Sequence, residues 1–220
     1  MKTKIASIDN LIPNGIEKDK INIIGSKAGF GKTTIVLNIM LNRAIEGDKV
    51  VLITTDSITY VNRLLDNIIC NGRDEENYKV KQILDNINGK IVLKAVPRGS
   101  GIDEIYKVIR GEGYDLIIIE DIEHLMKSKV DNYIPFMSQL YELNQMVKSH
   151  IIYTTTIYDN YTVDEKVMRT PIKQNIDKDL TNTLMLKTYD SNNKIKIGGL
   201  YHNNVLKGSI TFDYKNFSIR

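Results

Sequence analysis

The sequence predicts an α/β fold in which helices flank a mostly parallel central sheet and antiparallel strands are added at its C-terminal end. Short apolar runs alternate with helical patterns from Ile21 to Thr155, which is typical of a parallel sheet covered by helices. From Thr183 onward, apolar and polar residues alternate between short turn clusters, which predicts antiparallel strands. A chain of 220 residues with 42% hydrophobic content can bury one large core, so we expect a single domain over residues 1–220.

Apolar runs and helical periodicity predict five core strands and four helices. The strands are Ile21–Ile24, Val50–Thr54, Ile91–Ala95, Leu116–Ile119 and Ile151–Thr155. The helices lie near Thr33–Ile45, Thr59–Cys70, Ile102–Arg110 and Ile134–Val147. Glycines that follow the helical patterns, Gly47, Gly72, Gly89, Gly111 and Gly113, are predicted stops.

Composition excludes several classes of protein. The 30 basic and 27 acidic residues are interspersed, so a net charge of +3 argues only weakly for nucleic acid, and any such contact must be local. A single cysteine, Cys70, excludes an internal disulfide. The sequence has no signal-peptide pattern and no apolar run of membrane-spanning length, so we expect a cytoplasmic protein without a membrane partner.

A glycine-rich turn that ends in Gly31-Lys32-Thr33 joins the first predicted strand to the first long helix, and it predicts a phosphate-binding P-loop. Glycines let consecutive backbone N–H groups surround a phosphate, and the helix directs its positive N-terminal dipole at the same oxygens. Lys32 is expected to reach the β and γ phosphates and Thr33 to hold Mg²⁺, so the predicted cofactors are ATP and Mg²⁺. The predicted nucleotide-binding residues are Ser26, Lys27, Ala28, Gly29, Phe30, Gly31, Lys32, Thr33 and Thr34.

The turn departs from the strict motif at one place. The motif requires glycine five residues before Gly31, where this chain has Ser26, with Gly25 one residue early. The apolar strand before the turn and the helical pattern after it supply the context that the motif needs. The alternative is an ordinary glycine-rich turn between a strand and a helix.

Two acids, Glu120 and Asp121, follow the four apolar residues Leu116–Ile119 and resemble the end of a Walker B strand. The carboxyl end of a buried parallel strand lies beside the P-loop, where an acid can orient Mg²⁺ and its water. Counting four apolar residues places Glu120 in the metal-facing position, with Asp121 as a close second. The alternative is a strand end that carries solvated carboxylates.

Asp56 follows the strand Val50–Thr54 and is the predicted catalytic carboxylate, which would polarise the attacking water. An aspartate is one methylene shorter than a glutamate, so we expect slow turnover. Alternatively, Asp56 caps the helix that begins near Thr59.

With these motifs placed, the chain resembles the C-terminal ATPase domain of DnaB-like replicative helicases, a branch of the RecA-like P-loop NTPases. The lead-in Ile5–Ile16, the P-loop and the Walker B strand are common to the superfamily, whereas Arg169-Thr170-Pro171 and the tail Asn203–Phe212 are more specific. The resemblance implies a helicase-like ATPase that acts on single-stranded DNA in replication, in a bacterial or phage-infected cell. It further implies a homo-oligomer, such as a hexameric ring, and a replication partner protein.

The chain departs from the DnaB-like pattern in three places. The N-terminal domain of those helicases is absent from the 220 residues. Tyr201 and Asn203 occupy the positions of a lysine and an arginine that reach the neighbouring subunit's nucleotide, and without that arginine finger hydrolysis is expected to be weak. Thr155-Thr156 replaces a serine-glutamine pair. Lys207 is close enough in sequence to replace the finger, but a solvated turn lysine is the simpler interpretation.

Two segments are expected to contact DNA: the loop after the Walker B strand and the loop Tyr158–Gln174. Basic residues interleaved with tyrosines suit single-stranded DNA, because the charges follow the phosphates and the rings can stack on bases. The alternative is a polar loop in which Asp159, Asp164 and Glu165 offset the basic charges. The candidate contacts are Lys127, Lys129, Tyr161, Lys166, Arg169 and Lys173.

Three functions therefore remain open. The first is an ATP-driven motor on single-stranded DNA. The second is a single-domain ATPase of the KaiC or RadB type, in recombination or regulation. The third is an ATP-binding subunit without hydrolytic activity that serves as a scaffold or accessory in a replication complex.

Overall fold

A computed structural model of the protein describes residues 1–10, 12, 14–71, 84–126, 133–156, 181–191, 195–202, 205–213 and 218–219. These residues include nine strands and five helices, and residues 84–87 are also helical. The strands are β1 (Ile21–Ser26), β2 (Val50–Thr54), β3 (Ile91–Ala95), β4 (Leu116–Ile119), β5 (His150–Thr156), β6 (Thr181–Ser191), β7 (Ile195–His202), β8 (Val205–Asp213) and β9 (Ser218–Ile219). The helices are α1 (Ala6–Asp9), α2 (Lys32–Ile45), α3 (Ile58–Asn71), α4 (Ile102–Ile109) and α5 (Tyr133–Met146), and a 3₁₀ turn covers Ile122–His124.

All nine strands form one sheet in the order β3-β2-β4-β5-β1-β6-β7-β8-β9. Every neighbouring pair from β3 to β6 is parallel, and the pairs from β6 to β9 are antiparallel. This arrangement confirms the predicted fold class. Parallel strands that are joined through helices have all their carboxyl ends at one edge of the sheet, and that edge is where such folds bind ligands.

One pairing of the C-terminal strands was not predicted. The alternation after Thr183 predicted antiparallel strands that extend the sheet, and β6 pairs antiparallel with β7. On its other side β6 pairs in parallel with β1, so that Ile24 lies beside Leu184. Alternation reports that the two faces of a strand differ, and it carries no information on the direction of the neighbouring strand.

The predicted bounds agree with the structure for β2, β3 and β4, and helices α2 to α5 begin and end within two residues of their predicted bounds. The strands β1 and β5 each continue beyond the predicted end, to Ser26 and Thr156. Both extensions lie at the carboxyl edge of the sheet. The predicted stop at Gly72 lies outside the described residues.

Alternate residues of the strands supply two hydrophobic cores, one on each face of the sheet. Helices α2 and α3 pack on one face, against Leu52, Ile118 and Ile152 among others. Helices α4 and α5 pack on the other face, against the alternate strand residues, which include Ile53 and Ile119. Burial on both faces explains why the central strands are continuous apolar runs. Within the described residues, none of the helices has both the length and the apolarity needed to span a membrane.

His150, at the start of β5, gives the fold a dependence on pH. Burial lowers the pKa of its imidazole to about 4, and the N-terminal amino group and Lys18 act in the same direction. The unfolded chain takes up this proton near the ordinary pKa of about 6.5, whereas the folded chain resists it. The contribution of His150 to stability is therefore present above about pH 6.5 and is lost as the pH falls toward about 4.

We expect His150→Gln to lose less stability than the unchanged protein when the pH falls from about 7.5 to about 5, because glutamine takes up no proton. Urea denaturation at the two pH values measures the free energy of unfolding. The carboxylates contribute equally in both proteins, so the difference between the two changes in unfolding free energy isolates His150. Equal changes in the two proteins would contradict the prediction.

Candidate nucleotide-binding site

The ends of four parallel strands meet at the carboxyl edge of the sheet. Ser26 ends β1 and pairs with Thr156, the last residue of β5. Next to β5, β4 ends at Ile119, and Glu120 follows it with its backbone N–H bonded to the carbonyl of Ile53 in β2. The sheet order thus brings the predicted P-loop, the predicted Walker B acids and the end of β2 to one edge.

The loop between β1 and α2 has the backbone conformation of a phosphate cradle. Gly29 and Gly31 have φ angles of 74° and 97°, in the left-handed region that favours glycine. Phe30, only 2% exposed, lies in the hydrophobic core and anchors the loop between these glycines. Ser26 occupies the place where the strict motif has glycine, and its hydroxyl donates a hydrogen bond to the carbonyl of Lys27 at 3.0 Å. The serine therefore satisfies its own polar group within the loop.

Lys32 is the first residue of α2, and its amino group lies at the carboxyl edge of the sheet. Its side chain is 9% exposed. The Nζ atom donates to the hydroxyl of Thr156 at 3.0 Å and lies 3.6 Å from the Asp121 carboxylate. A buried ammonium needs such partners, because an unpaired one would be strongly destabilising.

Glu120 is buried, at 3% exposure, and it lies next to the hydroxyl of Thr33. Burial raises the pKa of its carboxyl to about 7, and the negative charges of Asp121 and Asp56 act in the same direction. Hydrogen bonds with Thr33 and Thr54 act in the opposite direction. A carboxylate and a hydroxyl that meet in this way are the oxygen ligands that Mg²⁺ prefers.

Asp121, unlike Glu120, lies on the side of the site where Lys32 is. It has a φ angle of 45°, which is unusual for a residue other than glycine, and its backbone N–H donates to the hydroxyl of Thr154 at 2.9 Å. Its Oδ1 atom is buried and has no hydrogen bond, and it faces Lys32. The two acids thus separate: Glu120 contacts Thr33, and Asp121 faces Lys32.

Asp56 lies at the same edge but is more exposed. Its carboxylate accepts a hydrogen bond from Arg98 at 3.3 Å, and its backbone N–H donates to the hydroxyl of Thr54 at 3.0 Å. The side chains of Arg98 and Asp56 are 62% and 41% exposed, so solvent screens this ion pair and its contribution to stability is small. This contact nevertheless involves the carboxylate of Asp56, which the sequence predicts to be catalytic.

The structure adds polar residues to this edge that the sequence did not identify as site residues. Glu123 accepts a hydrogen bond from the backbone N–H of Thr156 at 2.8 Å. His124 shares a hydrogen bond with the hydroxyl of Thr55 at 3.2 Å. The sequence drew attention to Thr156 only because Thr155-Thr156 replaces the serine-glutamine pair of the DnaB-like pattern. No sequence pattern indicated Glu123 or Arg98.

The expected DNA contacts lie outside the described residues, as does Asn203. They stay predictions. These contacts are Lys127, Lys129, Tyr161, Lys166, Arg169 and Lys173.

The described residues fit a bound Mg²⁺–ATP. Open space surrounds the position where a Cβ would lie at Gly29. Lys32 can supply a positive charge to the phosphates, and Thr33 and Glu120 supply oxygen ligands for the metal. The orphaned Oδ1 of Asp121 is a further acceptor in the same place.

A parallel sheet of this order with a phosphate-binding loop after its first strand defines a RecA-fold P-loop ATPase. The family model described as "ATPase: KaiC" matches residues 1–176, and the chain belongs to this family of KaiC ATPases. Membership in an ATPase family implies that the protein binds a nucleotide. No curated protein sequence matches the chain significantly.

Two solved structures have similar folds. The first is the ATPase domain of a DnaB-like helicase, with a TM-score of 0.73 at 12% identity and with 99% of this chain and 89% of that chain covered. The second is a DnaB-like replicative helicase, described with its interactions with primase, with a TM-score of 0.72 at 13% identity. That comparison covers 99% of this chain but only 62% of the helicase, so this chain spans less than two thirds of that protein. At these identities the likeness concerns the fold.

We expect Gly29→Ala to weaken ATP binding about tenfold and to cost about 1 kcal/mol of stability, because an L-residue is strained at positive φ. Gly47→Ala is the matched control, since Gly47 also has a positive φ and open space around it but lies just after α2, away from the loop. Urea denaturation measures the stability of both variants, and titration with a fluorescent ATP analogue measures binding. Equal losses of affinity in the two variants would show that the loop conformation has no specific role.

Proposed function

We propose that the protein binds Mg²⁺–ATP at the P-loop and hydrolyses it as a DnaB-like motor domain that acts on single-stranded DNA in replication. The main support is the convergence of Lys32 with the Thr33–Glu120 pair at the end of β1. A loop lysine, a hydroxyl and a buried acid are the recurring parts of phosphoryl-transfer sites in P-loop ATPases.

In this proposal the backbone N–H groups of the loop bind the phosphates, and Lys32 leaves Thr156 to contact them. Thr33 and Glu120 hold Mg²⁺, which neutralises phosphate charge when it is bound. Burial raises the pKa of Glu120 to about 7, so a cation bound beside it would favour the ionised form. The chain's residues thus bind and orient the nucleotide before any water attacks.

Hydrolysis needs a group that polarises water, and Asp56 is the proposed one. Arg98 contacts one oxygen of its carboxylate at 3.3 Å, and this contact competes with the binding of a water. The finger positions, Tyr201 and Asn203, supply no positive charge from a neighbouring subunit. We therefore propose slow turnover in the protein alone.

The DNA, the ring and the partner are proposed from resemblance. The similar fold of a DnaB-like replicative helicase supports a motor role, and that helicase is described as interacting with primase. For this chain we propose a homo-oligomer, with a hexameric ring as one form, that contacts single-stranded DNA through Lys127, Lys129 and the basic residues of 158–174. We also propose a replication partner protein and a cytoplasmic location.

Two other functions each have one supporting observation. The KaiC family match favours an ATPase of the KaiC type that serves recombination or regulation. The Arg98–Asp56 ion pair favours an ATP-binding scaffold without hydrolysis. DNA-stimulated turnover would exclude the scaffold, and strand separation without recombinase activity would exclude a role in recombination or regulation.

We expect ATP hydrolysis that rises when single-stranded DNA is added, and we expect Lys32→Ala to lower it at least about 100-fold because a phosphate contact is lost. Lys107→Ala is the control, because Lys107 is an exposed lysine of α4 whose side chain is 71% exposed. Phosphate release measures the rate. Tight ATP binding without turnover, with or without DNA, would favour the scaffold.

The separation of the two acids predicts unequal effects. Glu120→Gln should lower turnover about 100-fold while ATP still binds, since it removes the carboxylate beside Thr33. Asp121→Asn should lower turnover less than about tenfold, because Asp121 faces Lys32 instead. Steady-state kinetics at several Mg²⁺ concentrations would compare the two variants. The reverse order would assign the metal to Asp121.

A further inference from the structure

The strand β5 is longer than its neighbour β4 at the carboxyl edge. The last β4 pair joins Ile119 to Tyr153, but β5 continues through Thr156. On this side, Thr154–Thr156 therefore have no β4 residues to pair with. Unpaired backbone groups at a partly buried strand end are destabilising, so another segment must supply their hydrogen bonds.

The segment after β4 makes two hydrogen bonds to this end of β5, one to a side chain and one to a backbone group. The backbone N–H of Asp121 donates to the hydroxyl of Thr154 at 2.9 Å. The carboxylate of Glu123 accepts from the backbone N–H of Thr156 at 2.8 Å, in a charge-assisted bond that is stronger than a neutral one. Glu123 thus stands in for a β4 carbonyl and fixes the last residue of β5.

The residue that Glu123 fixes is the hydrogen-bonding partner of Lys32. The hydroxyl of Thr156 accepts from Nζ at 3.0 Å, whereas the Asp121 carboxylate lies at 3.6 Å, beyond a hydrogen bond. A neutral hydroxyl competes weakly with a phosphate for an ammonium, and a carboxylate in direct contact competes strongly. Thr156 therefore keeps Lys32 available for phosphates.

We propose that Glu123 is a positioning residue for nucleotide binding: it holds Thr156 so that the hydrogen bond of Lys32 goes to Thr156 and its ion pair with Asp121 stays at 3.6 Å. This inference rests on the proposed binding of ATP at the P-loop. When Glu123 is removed, the backbone N–H of Thr156 loses this acceptor and, within the described residues, the Thr156 backbone is held by its pairing with Ser26 alone. Lys32 then moves closer to Asp121 and forms a hydrogen-bonded ion pair with it. ATP must then break that pair before it can bind.

We expect Glu123→Ala to weaken the binding of a fluorescent ATP analogue about tenfold, which corresponds to about 1.4 kcal/mol. Glu123→Gln should bind within about twofold of the unchanged protein, because its amide oxygen can accept the same hydrogen bond. Adding Asp121→Asn to Glu123→Ala should restore the affinity, since the competing carboxylate is gone. Restoration separates a positioning role from general damage to the fold, and Asp121→Asn alone is measured as its reference.

Glu142→Ala is the control for loss of a glutamate, because Glu142 is exposed on α5. Unchanged affinity in Glu123→Ala, equal losses in Glu123→Ala and Glu123→Gln, or no restoration by Asp121→Asn would each overturn the inference.

Amide hydrogen exchange in the protein without nucleotide gives a second measurement that does not depend on ATP. Exchange at Thr156 should become at least several-fold faster in Glu123→Ala and stay unchanged in Glu123→Gln, because only alanine removes the acceptor. Unchanged exchange at Thr156 in Glu123→Ala would overturn the inference. If the wild-type protein bound no ATP analogue, that result would instead contradict the proposed function. Hydrogen exchange would still test the contact between Glu123 and Thr156.

Discussion

The buried ammonium of Lys32 is the interaction on which the candidate site depends. The carboxyl edge of the sheet brings together Glu120, Asp121 and Glu123, and burial of like charges is costly unless a cation compensates them. Lys32 is a buried cation at this edge, and its contacts are with Thr156 and Asp121. The phosphates of a bound nucleotide would contact the same ammonium, so they would compete for it with Thr156 and Asp121.

The sheet order makes this competition possible. Because β5 lies between β4 and β1, the acids after β4 and the lysine after β1 meet across the end of one intervening strand. The extra length of β5 then places Thr156 between them. In the proposed function, a nucleotide that draws Lys32 to its phosphates would break the contact of Lys32 with the last residue of β5. Such a link between the site and the chain beyond β5 is what a motor or a regulatory ATPase requires.

Much of this could be predicted from the sequence, because buried parallel strands and the P-loop have strong local patterns. The runs Val50–Thr54 and Leu116–Ile119 predicted their strands, and the Gly31-Lys32-Thr33 turn predicted the loop. The direction of β6 could not be predicted, since its alternation is the same in either direction. Glu123 and Arg98 could not be predicted either, because their partners Thr156 and Asp56 are distant in sequence and meet them only through the sheet order.

A crystal structure of the protein with Mg²⁺ and a non-hydrolysable ATP analogue is the most direct test of the role of Lys32. We expect phosphates against the backbone N–H groups of residues 27–33, Lys32 turned from Thr156 to the phosphates, and Mg²⁺ beside Thr33 and Glu120. A nucleotide bound elsewhere, or a Lys32 that keeps its contact with Thr156 while the loop is filled, would contradict this role.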